Sequence, residues 1–191
     1  MASPTPAAPL EPPIEHDAGG KRLPIPKGVT AHAVFDGPGN CYRYWLEWIW
    51  ARGLPTLAAG LMNPSCAGPD CADRTLLWLF RWACANKFGR LIVVNADAYR
   101  CADQLRLAEI GDPRGPRNPD YWDWAADQGD LVCLGYGQPK IRALSQHGPH
   151  MARAMHDAGA KLHIWALGAN NTPKHPLYLS GGVCASPWPR P

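Results

Sequence analysis

The 191-residue chain carries a formal net charge of +3, and 46% of its residues are hydrophobic. That length suits one domain with a buried core, and the lack of a run of about 18 apolar residues argues against a membrane span. No basic start leads into an apolar core, so no secretory signal is predicted and the cytoplasm is the default location. A charge this small permits a phosphate-facing surface without predicting one, because local clustering matters more than the total.

Residues 1–28, rich in Pro, Ala and charge and without periodicity, read as a flexible leader. A single α/β domain is expected over 29–182 and a tail over 183–191. Ala31 to Trp50 opens that domain as a β-hairpin, two β-prone runs around the turn cluster Gly37-Pro38-Gly39-Asn40. Leu54 to Met62 is a first core strand ending at Asn63-Pro64-Ser65. Ala72 to Phe88 has Leu76, Leu79, Phe80 and Ala83 at helical spacing, Asp73 near its start and Gly89 past its end. Leu91 to Asn95 is a second strand, Pro119 to Gln128 a helix, and Asp130 to Gly135 a third strand. Lys140 to Ala158 reads as a helix weakened by Gly148-Pro149, and Lys161 to Leu167 as a fourth strand. Strands and helices in strict alternation predict a three-layer αβα domain on a central four-stranded parallel sheet, with the hairpin before it. Trp45, Trp48, Trp78 and Trp82 are read as core.

Seven cysteines and no predicted export point to reduced thiols. The spacings among Cys66, Cys71, Cys84 and Cys101 match no tight ligand motif, so neither a metal nor an iron–sulfur cluster is expected. No P-loop or H-E-x-x-H motif occurs, and no cofactor is predicted. In parallel sheets ligands bind beyond the carboxyl ends of the strands. Position alone therefore selects Asn63 and Ser65 after the first strand, and Asn95, Asp97, Tyr99 and Arg100 after the second. The third strand adds Tyr136; the fourth adds Asn170, Lys174, His175 and Tyr178.

Six stretches stand out together: Tyr42-Arg43-Tyr44-Trp45-Leu46, Leu61-Met62-Asn63-Pro64-Ser65-Cys66-Ala67, Asp73-Arg74-Thr75, Val93-Val94-Asn95, Asp112 to Asn118, and His175-Pro176-Leu177-Tyr178-Leu179. They resemble the bacterial and phage family known as domain of unknown function 1643. One departure is Tyr136-Gly137, where that family usually has Trp-Gly. Its layout is similar to the uracil-DNA glycosylase superfamily, which has a catalytic Asn or Asp after the first core strand, a base-reading Asn ending the next, and a His-Pro loop after the last. That resemblance implies a uracil-DNA glycosylase-like fold and hydrolysis of an N-glycosidic bond in DNA. It implies Asn63 as the residue holding water, His175 as the donor to the departing base, and Asn95 as the reader of a flipped base by one donor and one acceptor. Asp73, otherwise a helix N-cap, is a further candidate for water activation. Ser65, Tyr99 and Tyr136 are expected around the base. Arg100, Lys140 and Lys174 are expected at phosphates, and Leu177 or Tyr178 as a wedge in the base stack.

Uracil-selective members place an aromatic ring against C5 of the base, where this chain has Ser65 followed by Cys66, Ala67 and Gly68. Small residues there predict a pyrimidine with a bulky C5 substituent, such as glucosylated hydroxymethylcytosine in phage DNA, and hence a role in antiviral defence. Repair of uracil or mismatched thymine, a non-catalytic nucleic-acid-binding module, and an enzyme on free nucleosides or nucleotides are the alternatives.

Overall fold

The computed structural model describes residues 15–188; residues 1–14 of the expected leader and 189–191 of the tail lie outside them. Seven strands form one sheet: β1 (Thr30–Asp36), β2 (Tyr42–Ile49), β3 (Thr56–Leu61), β4 (Arg90–Asn95), β5 (Leu131–Leu134), β6 (Leu162–Ile164) and β7 (Ser186–Pro187). Their spatial order is β1-β2-β4-β3-β5-β6-β7. The central four, β4-β3-β5-β6, are parallel, as alternation with helices predicts. The sheet is wider than the four strands expected. The hairpin β1–β2 does not stand before it but joins it, with β2 antiparallel to β4 from Trp45 opposite Val94 to Ile49 opposite Arg90. β7 covers the far edge by pairing with β6. Both additions pair backbone groups that an open edge would leave without partners.

Among the described residues four helices accompany the sheet: α1 (Arg74–Ala85), α2 (Gln104–Glu109), α3 (Asn118–Gln128) and α4 (His147–Asp157). Strand alternation divides the core between the two faces. Leu57, Ala59, Leu61, Leu91 and Val93 pack with Leu76, Leu79, Trp82 and Ala83 of α1. Ala58, Ile92, Val94, Val132 and Leu134 pack with Trp122 of α3 and Met151 and Met155 of α4. The result is three layers. A fully buried leucine such as Leu79 contributes about 1.5–3 kcal/mol.

α1 begins where Asp73 accepts the Leu76 N–H at 2.8 Å, a cap worth about 1 kcal/mol. It ends earlier than predicted, since Lys87 takes a left-handed φ of 62° and Phe88 N–H turns back to Ala83 O. α4 starts at His147 rather than Lys140. Pro149 and Gly148 sit in its first turn, where a missing N–H costs little, and the residues before it form a loop with a 3-10 turn over Arg142–Leu144. β6 is likewise shorter than the predicted fourth strand.

Residues 15–28, read as leader, lie against the domain. Leu23 and Ala72 exchange two backbone hydrogen bonds of 2.8 Å, and Leu23 and Ile25 pack on the α1-side core. The segment borrows its apolar partners from distant parts of the chain, which local composition does not reveal. No helix among the described residues is long and apolar enough to cross a membrane.

Candidate active site

From β3 the chain crosses to β4 on one side and then to β5 on the other, so the strand order reverses at β3. Such a switch point opens a crevice at the carboxyl ends of the strands, and a cavity of about 820 Å³ lies there. Its walls include Asn63, Ser65, Asp73, Asn95, Tyr136, Lys140, Lys174, His175, Leu177 and Tyr178. Ten of the twelve residues to which the resemblance gives a role thus share one pocket.

Asn63 is held from both sides of its loop. Its Nδ2 donates to Cys101 O at 2.5 Å, and Cys101 N–H donates to Pro64 O at 2.8 Å. The preceding backbone is tied to the loop after β4, with Ala96 N–H on Leu61 O and Asp97 N–H on Met62 O. With Nδ2 engaged, Oδ1 is the end of the amide left to accept from a water.

Asn95 ends β4 and is 1% exposed. Its backbone carbonyl accepts from Asn118 Nδ2 at 2.9 Å and Trp122 Nε1 at 2.8 Å, so the start of α3 grips the strand end. Arg43 Nη2 donates to its Oδ1 at 2.8 Å. This departs from the expectation of one donor and one acceptor: Oδ1 already accepts from the Arg43 cation, and Nδ2 has no partner among the described residues.

His175 caps a 3-10 turn (Pro176–Tyr178), its Nδ1 accepting the Leu177 N–H at 3.3 Å. An accepting Nδ1 puts the proton of the neutral ring on Nε2. Burial pushes its pKa down to about 4, partly opposed by the Asp73 carboxylate. At neutral pH it is therefore an uncharged donor. Asp73 itself has both oxygens engaged, Oδ1 by Leu76 N–H and Oδ2 by the Ser65 hydroxyl at 2.7 Å. In the structure it caps α1, orients Ser65 and places a fixed negative charge near His175 and Arg43.

Tyr136 is 5% exposed, and burial raises its pKa to about 12, so it is a neutral phenol. Its ring lies against Gly148, where a Cβ would come 2.3 Å from Tyr136 Cδ2. That contact is the reason a glycine sits inside α4. Gly148→Ala is expected to cost about 1–3 kcal/mol of stability by overpacking, measured by urea denaturation, and to displace Tyr136 from the cavity wall.

The mouth is apolar and basic together. Leu177 and Tyr178 are 46% and 69% exposed, Leu105 of α2 is 63% exposed, and exposed Lys140 and Lys174 stand among them.

Tyr99 and Arg100 are corrections, because neither lines the cavity. Tyr99 bridges to Tyr42 and packs edge-on against it and His16. Arg100 N–H bonds Cys41 O, and its buried guanidinium donates to Asn40 O at 3.0 Å, 3.5 Å from Glu15. The chain leaving β4 is drawn toward the β1–β2 turn, away from the site. Sequence reading also missed Arg43, Gln104 and Leu105; a charged residue inside an aromatic strand was the signal for the first.

Two of the thiols bond the backbone: Cys71 donates to Cys66 O and Cys101 to Asp103 O. Among the described residues no three His, Cys, Asp or Glu side chains are grouped to hold a metal ion.

No curated protein and no solved structure matches the chain. Over residues 43–177, which include Arg43, Asn63, Asn95 and His175, it matches the family model described as protein of unknown function (DUF1643), and the protein belongs to that family.

Proposed function

We propose that the protein is a monofunctional DNA glycosylase that removes a C5-modified pyrimidine, leaving an abasic site. The observation that carries this reading is the meeting of Asn63, Asn95 and His175 around one cavity at the switch point of the sheet. Their free atoms match the needs of the reaction. Breaking an N-glycosidic bond leaves positive charge on the sugar and negative charge on the base. Asn63 Oδ1 holds water toward the anomeric carbon, the Asp73 carboxylate favours the cationic sugar, and neutral His175 donates Nε2–H to the base carbonyl. Asn95 meets the edge of the flipped base and Tyr136 walls it. Leu177 and Tyr178 fill the gap in the stack, while Lys140 and Lys174 meet phosphates. The likeness to the uracil-DNA glycosylase superfamily, in fold and in the placement of these residues, belongs to this proposal.

The cavity volume favours a modified base over bare uracil. About 820 Å³ falls in the range that houses drug-sized ligands, more than one six-membered ring fills. Ser65 leaves the C5 direction without a ring, and a Cβ added at Gly20 would come 3.5 Å from Ser65 and Cys66. Glucosylated hydroxymethylcytosine of phage DNA fits that space, and abasic sites in phage genomes would block their replication. The test is incubation of the protein with glucosylated phage DNA and with uracil-containing DNA, followed by an abasic-site lyase. Strand breaks in the glucosylated DNA alone are expected. Breaks only in uracil DNA would move the assignment to repair, and none in either would overturn it in favour of a binding module.

A further inference from the structure

Arg43 is the one charged side chain that reaches the cavity from β2, and strand alternation would not send it there. Alternation from Leu46 and Trp48, which face the α1-side core, assigns Arg43 to the opposite face with Trp45 and Glu47. The register between β1 and β2 shifts in between. Val34 pairs with Trp45 and Phe35 with Arg43, so Tyr44 has no opposite residue. This is a β-bulge, a device that re-aims side chains and gathers near active sites. Tyr44 is fully buried, stacked between Tyr42 and Tyr121 at 6.1 and 5.1 Å, which pins the bulge.

The side chain so delivered is 3% exposed. Its Nη1 donates to Ala67 O and its Nη2 to Asn95 Oδ1, both at 2.8 Å. A guanidinium only donates, so the Asn95 amide must turn its oxygen to Arg43 and its NH2 away. Burial lowers the Arg43 pKa to about 10, which still leaves it cationic at neutral pH. A second donor approaching Oδ1 would point its positive end at that cation. Asn95 is therefore left with a donor as its free group, and its Nδ2 is the buried atom without a partner.

We infer that Arg43 is a specificity-determining positioning residue: by holding Asn95 Oδ1 it makes the site present a hydrogen-bond donor to the base, which sets the choice between the cytosine and uracil edges. The inference rests on the glycosylase reading for the identity of the ligand. The two edges carry opposite patterns, N3 acceptor and N4–H2 donor in cytosine, N3–H donor and O4 acceptor in uracil. A fixed donor satisfies an acceptor at its own place and opposes a donor there. An amide free to rotate would accept both. For the substrate class proposed above the acceptor is cytosine N3.

The test compares two oligonucleotides that carry 5-hydroxymethylcytosine or 5-hydroxymethyluracil on a 2′-fluoroarabino sugar, each opposite an abasic site so that neither base gives up a pair. The fluorine resists glycosidic cleavage, so binding is read without turnover. The wild-type protein should favour the cytosine form by roughly ten- to a hundredfold, the effect of one unmatched buried polar group. Arg43→Met should bring that ratio close to one, and Arg43→Lys, which keeps a donor, should preserve most of it. Because Arg43 also supports the loop at Ala67, Asn95→Ala serves as a second variant that removes the donor without touching the bulge, and it should abolish the preference too. Equal affinities in the wild type, absence of binding to both, or a preference unchanged in Arg43→Met and Asn95→Ala would overturn the inference. A uracil preference that collapses in the same variants would keep the role of Arg43 and overturn the cytosine assignment. Selective binding with no excision of the natural-sugar versions would keep it and overturn the glycosylase reading.

Discussion

Asn63→Ala is expected to lower the single-turnover excision rate by about a hundred- to ten-thousandfold and to leave affinity for an uncleavable substrate analogue near that of the wild type. The reason lies in which end of the amide is free. Nδ2 is anchored on Cys101 O, so Oδ1 can do one thing in the cavity, accept from a water and hold it in line with the glycosidic bond. A fixed water converts an encounter with solvent into a positioned attack, an advantage that appears in the transition state rather than in binding. Alanine removes that atom and the anchor together, so the stability cost is expected to be near 1–3 kcal/mol from the carbonyl left without its donor. Asn63→Asp makes a useful contrast. It retains an acceptor for water but sets a carboxylate oxygen against Cys101 O, so it should lose stability and keep more activity than Asn63→Ala. Single-turnover kinetics alongside urea denaturation separates the two effects. An Asn63→Ala rate within severalfold of wild type would remove Asn63 from the chemistry.

The parts of this site that could be read in advance are those set by strand periodicity and topology. Continuous apolar runs mark β3, β4 and β5, and the alternation of strands with helices places their carboxyl ends together; Asn63, Asn95, Tyr136 and His175 follow from that alone. What escaped depends on long-range pairing. A bulge is a register relation between two strands, and nothing local to Tyr42-Arg43-Tyr44 announces that Tyr44 will lack a partner. Tyr99 and Arg100 follow β4 as closely as a site residue should, yet backbone bonds to Cys41 and Pro113 carry them elsewhere. α2 is six residues long with one buried side chain, Leu107, too short for a periodic signal, although it sets Leu105 at the cavity mouth. For Asp73 the local signal, a cap before a helix, is what Oδ1 fulfils on Leu76 N–H, while Oδ2 accepts from the Ser65 hydroxyl.

His175→Gln is expected to reduce excision by up to about a hundred- to a thousandfold, because its flexible amide is not held where the ring aims Nε2–H at the developing oxyanion. Its pH dependence distinguishes this role from general acid catalysis. An ordinary imidazole would titrate near 6.5, but burial holds His175 neutral down to about 4. The wild-type rate should then show no acid limb from this residue between pH 5 and 8. A limb near 6.5 that vanishes in His175→Gln would mean the ring is exposed and charged when it acts. Stability carries the same signature. The unfolded chain takes up a proton at His175 near pH 6.5 and the folded protein resists until about 4, so protonation favours unfolding across that window. The contribution of His175 is complete above pH 6.5 and falls as the pH drops toward 4. Thermal melts of wild type and His175→Gln from pH 8 to pH 4 should therefore draw together as the pH drops. The neutral state also has a structural reason, because protonating Nδ1 would set two N–H groups, its own and that of Leu177, against each other. The cap of the 3-10 turn, the wedge it carries at Leu177 and Tyr178, and the donor aimed at the base would then fail together, so acid should weaken DNA binding along with excision. A protein that keeps full affinity for the uncleavable analogue below pH 4, where the ring is protonated and the melts have converged, would show that the turn holds its shape without the neutral ring.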